Sequence, residues 1–105
     1  MGVNVTVTDA GNVLRDIRSR IDLLDQQIVQ LLAAREDLVR AAGRLKSDTA
    51  AVRAPDRVEQ VVQRVRGLAK EAGASPEVVD RIYRAMISAF IDLELAVHRA
   101  DRHPG

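Results

Sequence analysis

One feature constrains this chain above the others. From Leu14 to Leu45 it carries apolar residues at alternating steps of three and four, with no proline to break them. The positions are Leu14, Ile17, Ile21, Leu24, Ile28, Leu31, then Arg35, Leu38, Ala42 and Leu45. That spacing puts all of them on one stripe of a single long helix, from Val13 to about Lys46. At 1.5 Å per residue such a helix is roughly 50 Å long. A compact monomer of 105 residues has a radius of gyration of about 13 Å. So long a stripe cannot be covered by the rest of its own chain, and a second copy is the natural cover.

The remaining segments also read as helical. Residues 1–12 hold two glycines and no helical period, and are expected as a loose tail. Residues 47–54 form a polar connector. Pro55 suits the first turn of a second helix, which runs to about Ala72 with Val58, Val61, Val62, Val65, Leu68 and Ala69 on its apolar face. Gly73 ends it. Ser75 and Pro76 then supply an N-cap and a first helical residue for a third helix. This helix carries Val79, Ile82, Tyr83, Met86, Ile87, Phe90, Leu93 and Val97, and frays after His98, leaving residues 101–105 as a C-terminal tail. The expectation is an all-α fold of three helices, one very long, in an intertwined dimer with its domain at 13–100.

Composition excludes several functions. Sixteen Lys and Arg against fifteen Asp and Glu leave a net charge of +1, so there is no basic field for nucleic acid or for a membrane surface. Aromatic residues are 2% of the chain, too few for a base-stacking platform. The chain has no cysteine, which removes disulfides and thiolate metal sites. His98 and His103 read as plain surface residues near the C-terminus. No charged segment followed by an apolar stretch opens the chain, and no apolar run reaches the ~18 residues of a membrane span, so a cytoplasmic location is expected.

The informative residues are charges in apolar places. Arg35 occupies a stripe position that should be apolar. Lys46 lies eleven residues on, near the same angle and about 16 Å along the axis. Ala42 and Gly43 stand between them, leaving a gap with a cation at each end. Arg57 shares a face with Val61 and Val65. Glu94 sits on the seam of the third helix between Phe90 and Val97. Arg18 lies one step off the first stripe, seven residues before Asp25.

Each has an ordinary reading on its own. Arg35 could fix register, Lys46 could be a solvated helix end, and Arg57 could extend its head into water. Glu94 could pair with Arg35 or Arg57, Arg18 with Asp22, and Asp25 could cap or pair within the bundle. Together they are harder to set aside. Unpaired buried cations cost several kcal/mol each, and too few acids share their faces to neutralise them. A small dianion, gripped bidentately by arginine, would supply the missing charge.

These residues also carry a resemblance. The stretch LRDIRSRIDLLDQQIVQLLAAREDLVRAAGRLK, residues 14–46, resembles the first helix of the all-helical (AroQ-type) chorismate mutases, through the spacing of Arg18, Asp25, Arg35, Gly43 and Lys46. The likeness extends to about Arg99. Within that superfamily KSDTAAVRAPDRV, residues 46–58, is most similar to the isochorismate pyruvate lyase branch.

The resemblance implies an intertwined homodimer of aromatic amino-acid biosynthesis with two sites and no cofactor. It implies that Arg35, Lys46 and Arg57 of one chain and Arg18 of the other hold a chorismate-like dicarboxylate. Lys46 and position 94 would face the ether oxygen, with Val58 and Phe90 lining the substrate. The chemistry it implies is the pericyclic rearrangement of chorismate to prephenate, which needs folding of the enolpyruvyl arm and stabilisation of charge on that oxygen.

This sequence departs from the common pattern near Ala54, where another acid is expected, and at two further places. An acid that holds the ring hydroxyl is replaced by Val58, and the usual glutamine by Glu94. An ionised carboxylate would repel the ether oxygen, so Glu94 must be protonated to help. A glutamate there is expected of 4-amino-4-deoxychorismate mutases. The alternatives are therefore that analogue as substrate, an isochorismate pyruvate lyase giving salicylate and pyruvate, and a non-catalytic helical adaptor or regulatory dimer.

Overall fold

The computed structural model describes the backbone of residues 7–102 and the side chains of residues 9–100. The elements run α1 Val7–Leu45, α2 Thr49–Arg53, α3 Pro55–Ala72 and α4 Pro76–Arg102. Among the described residues there is no strand, and no helix is long and apolar enough to cross a membrane.

The all-α expectation holds, with three long helices, and three boundaries differ. The first helix begins at Val7, six residues before the expected start, so residues 7–12 are helical and not a loose tail. The connector is not wholly irregular, because it contains the five-residue α2. The last helix continues past His98 to Arg102. Asp48 starts α2 by accepting a hydrogen bond from the Ala51 N–H at 2.8 Å. The only apolar residue larger than alanine in α2, Val52, is then 2% exposed. It turned inward in a segment that composition marks as polar.

The other helix ends follow local chemistry. Pro55 opens α3, where its missing N–H costs nothing. Gly73, at φ 77°, closes α3. Its N–H reaches the Lys70 carbonyl at 3.2 Å and the Ala74 N–H reaches that of Ala69 at 2.8 Å, a Schellman closure. The Val78 N–H donates to the Ser75 hydroxyl at 3.4 Å, and Pro76 opens α4. Ala54, between α2 and α3, is the one described non-glycine residue with positive φ, at 32°.

The chain falls into two compact units, residues 1–35 and 36–105. In the first, the described part is residues 7–35 of α1, and Leu14, Ile17, Ile21, Leu24, Ile28 and Leu31 are each between 45% and 70% exposed. In the second, α3 and α4 form an antiparallel pair about Val61, Val62, Val65 and Ile87, flanked by Val58, Val79, Tyr83 and Ile91. Val62 is fully buried, and side chains of this kind contribute roughly 1.5–3 kcal/mol each.

A charge network ties the outer edges of the same pair. Arg84 donates to Glu59 at 2.8 and 3.1 Å and to Asp80 at 2.8 Å. Arg66 donates to Asp80 at 2.9 Å and pairs with Glu77. Hydrogen bonds from Arg84 hold the Glu59 and Asp80 carboxyls below their ordinary values, with Arg66 adding to the effect on Asp80.

Candidate active site

The second unit brings two of the expected site residues together. Lys46 follows directly on α1, its N–H still bonded to the Ala42 carbonyl at 3.1 Å. A cation there also suits the negative end of the helix dipole. Its ammonium lies 2.5 Å from Glu94 Oε1, with side-chain exposures of 31% and 7%. The approach falls outside hydrogen-bonding angles, so buried Oε1 accepts no hydrogen bond among the described residues. Glu94 thus pairs with Lys46. Part of the expected excess of positive charge is balanced within the protein.

Gly43 makes this meeting possible. A Cβ at that position would stand 2.9 Å from Glu94 Cγ, 3.3 Å from the Glu94 carbonyl oxygen and 3.6 Å from Val97 Cγ1. Only a residue without a side chain lets α4 approach the last turn of α1 so closely. One turn beyond Glu94, His98 is 5% exposed, its Nδ1 3.2 Å from the Gly43 carbonyl oxygen. The expectation of a surface His98 is therefore wrong. A continuing helix carries it onto the same inward face as Ile87 and Glu94. His103 lies outside the described residues.

The other expected residues are placed as follows. Arg35 is half-buried on α1. Phe90 and Val58 are half-buried, and Val58 packs on the α3–α4 core. Arg57 lies in the first turn of α3 and is exposed, although it shares a helical face with two buried valines. Arg18 and Asp25 are exposed on α1. No Arg18–Asp22 ion pair forms among the described residues. The i,i+4 pair observed nearby is Arg20 with Asp16, at 4.0 Å.

Chemically, an ammonium and a carboxyl at this separation, in a half-dry place, offer two groups to one polar atom of a guest. Among the described residues no group of His, Cys, Asp or Glu is placed to hold a metal ion.

The chain is thus all-α, with a lysine–glutamate pair where its longest and last helices meet. Residues 17–95 match the family model for chorismate mutase type II. The chain belongs to that family, a family of isomerases, as the resemblance of residues 14–46 implied. It is 36% identical over 89 residues to the isochorismate pyruvate lyase of Pseudomonas aeruginosa, covering 85% of this chain and 88% of that one. It is 34% identical over 85 residues to the bifunctional chorismate mutase/prephenate dehydratase of Aquifex aeolicus, covering 77% of this chain and 24% of that one. It is 36% identical over 72 residues to the T-protein of Haemophilus influenzae, covering 68% of this chain and 19% of that one.

Proposed function

We propose that the chain catalyses the pericyclic rearrangement of chorismate to prephenate, or of a close analogue, as a cytoplasmic homodimer with sites completed across the two copies. The observation that carries this reading is the Lys46–Glu94 pair. It stands at the two positions that the family resemblance assigns to the ether oxygen, where Gly43 lets α4 approach the end of α1. In the rearrangement the C–O bond breaks as a C–C bond forms, with no nucleophile, metal or proton transfer. Lys46 meets the negative charge growing on the oxygen, and the Glu94 carboxyl stands beside it. Arg35 and Arg57, with Arg18 of the second copy, hold the two carboxylates and so fold the enolpyruvyl arm over the ring.

The dimer is supported by the exposed α1 stripe. Six apolar residues on one face of one helix, each near half exposed or more, are what a second copy would cover.

The second reading is an isochorismate pyruvate lyase. It is favoured by the relative of that name, which this chain matches over 88% of its length, and by apolar Val58 where a ring-hydroxyl acid is expected. In that reaction a hydrogen moves to the enolpyruvyl carbon and pyruvate departs.

Incubating the pure protein separately with chorismate, isochorismate and 4-amino-4-deoxychorismate, and identifying each product, tests both. Prephenate from chorismate supports the first reading. Salicylate and pyruvate from isochorismate, with chorismate untouched, replaces it with the second. No turnover of any of the three leaves the adaptor reading standing.

A further inference from the structure

We propose that His98 is a positioning residue for this reaction. Its Nδ1–H donates to the Gly43 carbonyl and holds the last turn of α1 against α4 at the spacing that sets Lys46 on Glu94. The inference rests on the functional reading above, because it takes Lys46 and Glu94 as the groups that meet substrate.

Three contacts on one face of α4 close around one residue of α1. Glu94 Cγ fills the space where a Cβ of residue 43 would stand, Val97 Cγ1 flanks it, and the His98 ring meets the same residue's carbonyl at 3.2 Å. Gly43 lies in the closing turn of α1, where carbonyls have no assured partner within the helix. Just past the helix end, the Lys46 N–H bonds the Ala42 carbonyl at 3.1 Å. A glycine there removes the side-chain obstacle but also loosens the backbone. A fixed donor on its carbonyl restores the constraint.

Glu94 and His98 are four apart, one turn of α4, so they grip Gly43 from two successive levels. That fixes both the separation and the rotation of α4 about this point. Lys46 is three residues beyond Gly43, within one turn, so its ammonium inherits the same constraint.

The contact also dictates a tautomer. A carbonyl oxygen only accepts, so Nδ1 carries the proton and neutral His98 has an unprotonated Nε2. At 5% exposure the ring has little water to satisfy it otherwise.

His98→Leu and His98→Asn test the proposal, assayed on whichever substrate the wild-type protein turns over. The asparagine amide stands close to where Nδ1 stands and keeps the donor. His98→Leu is expected to lower kcat by about tenfold or more with KM changed by less than about threefold, because misplacement acts on the chemical step more than on carboxylate binding. His98→Asn is expected to recover most of the lost kcat. Wild-type kcat in His98→Leu, or equal losses in both variants, overturns the proposal.

Should His98→Leu fail to fold, two-bond 1H–15N spectra of the wild-type ring decide the matter without an activity assay. His98 is expected as the Nδ1–H tautomer, and a neutral ring protonated on Nε2 overturns the assignment. A wild-type protein inactive on all three substrates instead ends the functional reading, an outcome distinct from either failure.

Discussion

Replacing Gly43 with alanine places a Cβ 2.9 Å from Glu94 Cγ and 3.3 Å from the Glu94 carbonyl oxygen, where ordinary contact begins at 3.4 Å. The nearer atom belongs to a side chain that could turn away, but only by leaving Lys46. The farther one is backbone and moves only with α4. Two effects oppose each other. Alanine in a helix is favoured over glycine by about 1 kcal/mol. Overpacking a tight junction costs about 1–3 kcal/mol. The net is a loss of between zero and about 2 kcal/mol, and each kcal/mol lowers Tm by about 4–8 °C in a domain this size. The catalytic loss is larger. In the proposed reaction, moving Glu94 by a few tenths of an ångström to 1 Å disturbs the pair set against the reacting oxygen, worth on the order of a hundredfold in kcat. Gly67, inside α3, is the internal control, since a Cβ there meets nothing within 4 Å. Gly67→Ala should raise Tm and leave kcat unchanged. Melting curves at matched protein concentration and steady-state turnover of chorismate read both variants. Gly43→Ala that melts as much higher as Gly67→Ala and keeps full kcat would refute the close-approach argument.

Other substitutions probe separate parts of the account. Ile21→Asp with Ile28→Asp charges the exposed α1 stripe and should convert the proposed dimer to monomer by sedimentation; a wild-type monomer, or a variant dimer unchanged, would contradict an interface on this stripe. Glu94→Gln keeps a donor beside Lys46 in every protonation state, so turnover at neutral pH should equal or exceed wild type; a loss of about tenfold or more would show that the carboxylate itself is needed. The Glu59 and Asp80 carboxyls lie below their ordinary values of 4.5 and 3.8. Depressed values mean stability that is present above those ordinary values and lost as pH falls below them. Tm should therefore drop between roughly pH 5 and pH 3, and less steeply in Arg84→Gln; equal slopes would remove the network from the account.

Much of this fold is legible in the sequence because period and punctuation agree. The three-and-four spacing of α1, the Pro55 start, the Gly73 stop and the Ser75–Pro76 opening each stand where local chemistry puts them. Lys46 and Glu94 are legible too, as charges on apolar faces. Their pairing with each other is not, since it depends on how closely α4 meets α1, and Gly43 decides that distance. His98 escaped because a helix end near the C-terminus reads as frayed, although its four-residue step from Glu94 places it on the buried face. Arg57 shows the converse. It shares a helical face with buried valines, yet in the first turn of α3 that face has not reached cover. Val52 turns inward because a five-residue helix, capped by Asp48, forms where composition shows only polar chain.

The most direct test of the central claim is the turnover of chorismate by wild-type protein and by Lys46→Ala, with prephenate quantified. In the proposed reaction, removing the ammonium deprives the ether oxygen of its fixed positive partner. A fall in kcat/KM of about a hundredfold or more, with the fold intact by circular dichroism, is the predicted result. Prephenate formed equally fast by both proteins would contradict it.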